Sequence, residues 1–133
     1  METTKKERTH GRIVEKAARL FRKRGIGATS VGDLMAAAGL THGGFYAHFR
    51  DKTALVIEAL DAAFDESERN LSDGALADLD GDAWLARAAG RYLRMSHRDG
   101  RAEGCAIPAL GAETSHAPRR VRDAFARRVE RMV

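Results

Sequence analysis

The sequence predicts an all-α protein, and three observations carry that prediction. Alanine, leucine, arginine and glutamate are frequent among the 133 residues, whereas β-branched residues are few, a composition that favours helices. Both prolines, Pro108 and Pro118, lie late in the sequence, so no proline interrupts a helix over the first hundred residues. Apolar residues recur at helical spacing in several segments that short glycine-containing stretches separate.

Two helices are expected in the first forty residues. The first covers GRIVEKAARLFRKRG, residues 11–25, where the apolar residues share one face and Gly25 supplies the stop. A second, short helix follows Ser30, which forms a capping-box pattern with Asp33, and it ends at Gly39.

A third short helix is expected after AAGLT, residues 37–41, with Thr41 as its N-cap. The connection is tight because Gly39 is free to take a positive φ and Leu40 is an apolar residue that can turn into the core. Two short helices joined in this way, after a longer one, predict a helix-turn-helix.

The remaining segments predict further helices. A long linking helix is expected at about 52–71, capped by Asp51 and acidic on its solvent face, and residues 72–82 are the best boundary after it. Residues 83–97 are amphipathic, a short helix contains Pro108, and a last helix has Pro118 at its first position. We therefore expect a helix-turn-helix domain over 1–52 and a helical domain over 53–133.

The net charge of +4 is unevenly distributed. Residues 1–52 hold 11 Lys and Arg against 5 Asp and Glu, a net charge of +6, whereas residues 53–117 have a net charge of −6 and the last sixteen +4. A basic N-terminal third beside an acidic middle suggests a part that faces nucleic acid, although surface charge can also vary without such a role.

Several classes of protein are disfavoured by the sequence. No segment has the roughly 18 apolar residues of a membrane span, and the charged N-terminus lacks the apolar region of a signal peptide, which predicts a cytoplasmic protein. The single cysteine, Cys105, excludes an intrachain disulfide; it is either a thiol sensor or a small buried apolar residue. No cluster has zinc-ligand spacing and no catalytic motif is present, so we expect no metal, no cofactor and no enzyme activity.

The start of the third helix, Thr41-His42-Gly43-Gly44, is where a helix-turn-helix reads base edges. The glycines weaken the helix by about 1 kcal/mol each but remove bulk, so that the backbone can lie close to DNA. Thr41 and His42 would donate to bases or phosphates, and Tyr46 would donate its hydroxyl to a phosphate.

The segment 12–64 resembles the N-terminal domain of the TetR family of bacterial transcriptional regulators. The matching residues include Phe21, Gly25, Thr29-Ser30-Val31, Asp33-Leu34, Ala38-Gly39-Leu40-Thr41, Gly43, Phe45-Tyr46, Phe49, Lys52 and Leu55. The resemblance implies a homodimeric repressor on a near-palindromic operator of double-stranded DNA, released by a small-molecule effector. Carried over by position, the residues expected to face DNA are Thr29, Ser30, Thr41, His42, Gly43, Tyr46, His48 and Lys52.

The resemblance also marks a departure, because TetR-type chains usually continue through two more long helices that pack across the dimer axis. We therefore expect a helical ligand-binding and dimerisation domain that is incomplete at its C-terminus. An alternative stays open, in which a truncated, non-dimerising modulator competes with or pairs with a full-length relative.

Other residues leave two interpretations open. Trp84, Tyr92, Met95 and Phe125 either line an apolar effector pocket or form part of the core. The arginines of the last helix, which include Arg128, are either a solvated face or a second contact to DNA or an acidic partner.

Overall fold

The described part of the chain is built from helices alone. The computed structural model describes residues 3–71, 82, 83, 85, 86 and 106–132, and no strand occurs among them. Its elements are α1 (Lys5–Arg24), α2 (Val31–Ala37), a 3-10 helix (His42–Ala47), α3 (Lys52–Leu71), α4 (Ala106–Thr114) and α5 (Arg119–Met132). Residues 82, 83, 85 and 86 are helical as well. The predicted all-α class is confirmed.

Helix α1 begins six residues before the expected start. The Thr4 hydroxyl accepts a hydrogen bond from the Glu7 N–H, and the Glu7 carboxylate accepts one from the Thr4 N–H, which closes a capping box. Gly11 is tolerated within the helix because it is exposed, and a Cβ there would meet nothing within 4 Å. The helix ends as predicted at Gly25, whose φ is +90° and whose N–H donates to the Phe21 carbonyl.

The helix-turn-helix has the predicted Ser30 cap and the predicted turn, but its second helix and the Thr41 cap differ from the prediction. Ser30 and Asp33 form the expected capping box, and Gly39 takes a φ of +76°. The second helix is a 3-10 helix of six residues, and the Thr41 side chain makes no capping hydrogen bond, contrary to our expectation. A helix this short with two glycines gains little from the regular α-helical ladder.

Helix α3 is the packing centre of the fold, with α1 and α5 both against it. The aromatic anchors of the 3-10 helix are confirmed, since Phe45 and Phe49 are buried and their rings stack at a centroid distance of 5.5 Å. The other large buried side chains are Ile13, Phe21, Leu34, Met35, Leu55, Leu60, Phe64, Leu110 and Val121. Burial of these apolar side chains holds the 3-10 helix against the other helices.

Ion pairs join α5 to the acidic side of α3, which corrects two expectations. Arg128 is buried, and its guanidinium donates to Asp61 at 2.9 Å and to Asp65 at 2.6 Å. The acidic side of α3 is thus covered in part by α5, and Arg128 is not part of a solvated face. Pro118 precedes α5 by one residue, where its carbonyl accepts from Val121 and Arg122.

Candidate nucleic-acid interface

One exposed surface collects the start of α2 and the outer side of the 3-10 helix. We call this the reading surface, and it consists of Ser30, Thr41, His42, Gly43 and Tyr46, all of which are exposed. Tyr46 is the most exposed large side chain here, with 70% of its surface accessible, although its ring edge rests on the buried Phe45. The ring of Tyr46 is thus exposed while one contact with the buried Phe45 supports it.

The His42 ring lies back against the start of α2. A Cβ on Gly32 would be 3.5 Å from the His42 Nδ1, an ordinary van der Waals distance, so the imidazole lies beside the first turn of α2. This contact joins the two helices of the helix-turn-helix through a side chain on the reading surface. His42 can donate or accept a hydrogen bond, depending on its tautomer.

Gly43 is the most open backbone position of the reading surface. A Cβ there would meet no atom within 4 Å, and its φ is not positive, so the fold itself does not require glycine at this place. Because no side chain covers it, the Gly43 backbone could lie close to DNA.

The hydroxyl of Ser30 is already committed to the α2 cap. Its Oγ accepts from the Asp33 N–H at 3.0 Å, and the Ser30 N–H donates to the Asp33 carboxylate at 3.1 Å. The backbone and side-chain hydrogen bonds from Ser30, with the nearby positive charge of Arg24, lower the pKa of Asp33. The carboxylate therefore stays ionised and keeps the first turn of α2 in place.

Residues 13–59 match the family model described as bacterial regulatory proteins, tetR family. This match makes residues 13–59 a TetR-type N-terminal domain. The HTH-type transcriptional regulator AcrR of Shigella flexneri is 39% identical over 67 residues, which are 50% of this chain and 29% of that protein. The HTH-type transcriptional repressor DhaR of Mycobacterium sp. is 37% identical over 60 residues, 45% of this chain and 30% of that protein. The chain thus spans less than a third of the length of these curated relatives.

Solved structures of TetR-family regulators share the fold. A regulator from Chloroflexus aurantiacus superposes with a TM-score of 0.83 at 27% identity, covering 96% of this chain and 64% of that one. A second, from Cytophaga hutchinsonii, gives a TM-score of 0.78 at 25% identity, covering 97% and 64%. The likeness extends beyond the helix-turn-helix into the helical part that follows.

Thr29 does not present its side chain to DNA, which corrects a position carried over from the TetR family. It is fully buried, and its hydroxyl donates to the Gly25 carbonyl at 2.8 Å. This hydrogen bond joins the two ends of the loop between α1 and α2 (residues 25–30), because Gly25 is the C-cap of α1.

Lys52 is half-buried, and its ammonium serves the same loop. Its Nζ donates to the Ile26 carbonyl at 2.9 Å, which ties the start of α3 to the α1–α2 loop. An ammonium has three donors, so this bond leaves two for another acceptor. The expected phosphate contact of Lys52 stays a prediction.

His48 follows the 3-10 helix and faces α1, so it is not part of the reading surface. Its ring centroid is 5.9 Å from that of His10, whose Nε2 donates to the Glu58 carboxylate. The Nδ1 of His48 is buried without a hydrogen-bond partner among the described residues. Burial, then the nearby charges of His10 and Lys6, lower the pKa of His48 from its ordinary value of 6.5.

Glu113 is the functional candidate that the sequence did not reveal. From α4 it reaches the α1–α2 loop, where its two carboxylate oxygens accept from the N–H groups of Ile26 at 2.6 Å and Gly27 at 2.7 Å. Its partners lie 87 and 86 residues away in sequence, so no local pattern could have indicated the contact. The loop that precedes α2 is thus held by α3 and α4 together.

The predicted effector-binding residues fall into two groups. Trp84, Tyr92 and Met95 lie outside the described residues. The Phe125 ring packs edge-on against Phe64, with centroids 5.3 Å apart, and its position makes it part of the packed interior between α3 and α5. Phe125 therefore packs against the core, and its part in an effector site stays a prediction.

No group of three or more His, Cys, Asp or Glu side chains is placed to hold a metal ion in the described ranges. No helix in those ranges is both long enough and apolar enough to cross a membrane.

Proposed function

We propose that this chain is a sequence-specific DNA-binding transcription regulator, a repressor that acts as a homodimer on a near-palindromic operator in the bacterial cytoplasm. A small-molecule effector would release it from DNA. The observation that carries the proposal is the reading surface, exposed at the start of a 3-10 helix within a TetR-family domain. The names of the relatives, a transcriptional regulator and a transcriptional repressor, support the same assignment.

The proposed mechanism assigns a role to each part of the reading surface. The 3-10 helix enters the major groove by its N-terminal end, where Thr41 and His42 contact base edges. Gly43 lets the backbone lie against the sugar-phosphate chain, and Tyr46 donates its hydroxyl to a phosphate. In a homodimer, the two-fold axis would place two such surfaces one helical turn apart, about 34–36 Å.

The net charge of residues 1–52, +6, supports association with DNA through the counterions that bound cations release. Arg50 and the last turn of α1, Arg22-Lys23-Arg24, contribute to it, but Arg22 is buried in an ion pair with Glu66. The exposed members, Lys23, Arg24 and Arg50, are the cations that remain for phosphates.

A glycine substitution separates DNA contact from folding. Gly43→Ala introduces no clash within the protein, and it should raise stability by about 0.5–1 kcal/mol because alanine favours helix. The added methyl group would nevertheless stand between backbone and DNA and lower affinity. Gly11→Ala is the matched control, since that glycine of α1 is equally open and is not part of the reading surface.

The proposal is tested by footprinting the 133-residue chain on DNA that flanks its gene, with a salt titration. A symmetric footprint over two half-sites, weakened by Gly43→Ala and unchanged by Gly11→Ala, is the expected result. Equal affinity of both variants for every DNA would show that the 3-10 helix does not read it. A footprint over one half-site would instead favour the modulator that pairs with a longer relative.

Base reading is tested separately by selecting preferred sites from random DNA. His42→Ala should change the bases selected near the centre of each half-site. Selection of the same sequences by the variant and the parent protein would remove His42 from the residues that read bases.

A further inference from the structure

A cavity lies where the helix-turn-helix domain meets α4 and α5. Its volume is about 360 Å³, within the range of small-molecule sites. We call it the junction cavity, and its principal lining residues are Ile26, Lys52, Val56, Glu113, His116 and Val121. Phe125, which the sequence suggested for an effector site, is not among these lining residues.

The walls of the junction cavity are apolar on the helix side. Val56 of α3 and Val121 of α5 are both buried in the protein core, and Ala117 and Pro118 complete that side. Such a surface favours a hydrocarbon or aromatic body over a polar one, because burial removes apolar area from water on both partners.

The charges at the rim favour an anion. Both oxygens of Glu113 are occupied by the N–H groups of the α1–α2 loop, so that negative charge is already stabilised. The ammonium of Lys52 binds only a neutral carbonyl, and within the described ranges no carboxylate lies at ion-pair distance from it. His116 is exposed at the rim, where its imidazole offers a further hydrogen-bond donor.

We propose that the junction cavity binds a small carboxylic acid with an apolar, aromatic or aliphatic body. The body lies on Val56 and Val121, and the carboxylate accepts from the free N–H groups of Lys52 and from His116. A carboxylate is chosen because the Lys52 ammonium has N–H groups left beside its bond to the Ile26 carbonyl, and a charged acceptor binds them more strongly than a neutral one.

Occupancy would also reach the reading surface, and this part of the inference rests on the proposed function. Lys52 and Glu113 together hold the α1–α2 loop, whose last residue, Ser30, caps α2. A ligand carboxylate on the free N–H groups of Lys52 would draw the ammonium toward the cavity and so weaken its bond to the Ile26 carbonyl. The ligand would thereby change the position of the loop and lower the affinity for DNA.

The test measures binding without DNA, so that its failure is distinguishable from failure of the proposed function. The amide NMR spectrum of the ¹⁵N-labelled 133-residue chain is followed during titration with 1-naphthoate and, separately, with neutral 1-naphthalenemethanol. We expect saturable shifts at Ile26, Gly27, Thr53 and Ala117, with 1-naphthoate binding more tightly. Shifts that are absent, unsaturable or confined to other residues would overturn the proposal.

Variants separate the anion contact from the apolar one. Lys52→Met should weaken 1-naphthoate about tenfold, the effect of losing a hydrogen bond to a charged group, and change the neutral alcohol less than twofold. Ala117→Leu and Thr53→Leu each fill the cavity from a different wall and should abolish binding of both molecules, and the exposed Arg127→Ala should leave both unchanged. Equal loss of acid and alcohol in Lys52→Met would refute the choice of an anion, and undiminished binding in both leucine variants would refute the site.

Discussion

Removing the Glu113 carboxylate should loosen the α1–α2 loop without disturbing the core. Glu113→Ala deletes both hydrogen bonds to the Ile26 and Gly27 N–H groups, whereas Glu113→Gln keeps one acceptor and turns an amide donor toward the other N–H. The alanine variant should therefore cost more stability than the glutamine variant.

The expected cost follows from the number and exposure of these bonds. A hydrogen bond to a charged group contributes about 1.5–3 kcal/mol when buried. Glu113 is half-buried and the Gly27 contact lies at the surface, so water replaces part of what is lost. We therefore expect a loss of about 2 kcal/mol for Glu113→Ala and about 1 kcal/mol for Glu113→Gln. For a chain of this size, 2 kcal/mol lowers the Tm by about 6–10 °C.

Thermal unfolding followed by circular dichroism measures the loss, and amide hydrogen exchange locates it. Exchange should accelerate at Ile26 and Gly27 and stay unchanged in the middle of α3. Glu130→Ala is the matched control because Glu130 is exposed on α5, and it should change the Tm by less than about 1 °C. If Glu113→Ala unfolds at the parent temperature with unchanged exchange at both amides, the contact does not hold the loop.

Three further predictions concern charged groups. Arg128→Met should cost about 2–3 kcal/mol in urea unfolding, because it leaves the half-exposed carboxylates of α3 without their buried partner, and the exposed neighbour Arg127→Met should cost almost nothing. Lys52→Met should reduce the slope of log affinity for DNA against log salt by about 0.9 if its ammonium contacts a phosphate, and an unchanged slope would leave it a loop contact only. Because the pKa of His48 is lowered in the folded state, the unfolded state binds more protons as pH falls below 6.5, so the free energy of unfolding should fall with it. His48→Gln should lessen the fall in Tm between pH 7 and pH 5, and an equal fall in both proteins would contradict this assignment.

Helix boundaries that are set by capping residues and glycines could be predicted from the sequence. Gly25 and Gly39 end their helices with positive φ, and Ser30 and Asp51 cap theirs, as their types and neighbours indicated. The early start of α1 was also visible, because Thr4 stands three residues before Glu7 in a capping-box pattern. The apolar stripe begins only at residue 13 and therefore predicts a later start.

The candidate site was less predictable, because its residues act through distant partners. Thr29 is polar and lies in a loop, which predicts exposure, yet its hydroxyl satisfies a carbonyl four residues earlier and the side chain is buried. His48 and Lys52 carry groups that suit DNA, but tertiary contacts with α1 and with the α1–α2 loop determine where these groups lie. Spacing along a helix predicts on which face a residue lies. It does not predict which other element packs against that face.

The junction cavity and the reading surface share the α1–α2 loop, and that sharing makes their coupling measurable from either side. If 1-naphthoate binds the DNA-free form more tightly, operator DNA must weaken 1-naphthoate by the same factor by which the acid weakens DNA binding. We expect this factor to be about 5–100, the usual range of coupling between two sites. Both affinities are measured at one salt concentration, the acid's with and without saturating operator and the operator's with and without saturating acid. Thr53→Leu, which fills the cavity, should bind operator normally and lose its response to the acid. Identical 1-naphthoate affinity with and without operator would show that the loop does not transmit occupancy of the cavity to the reading surface.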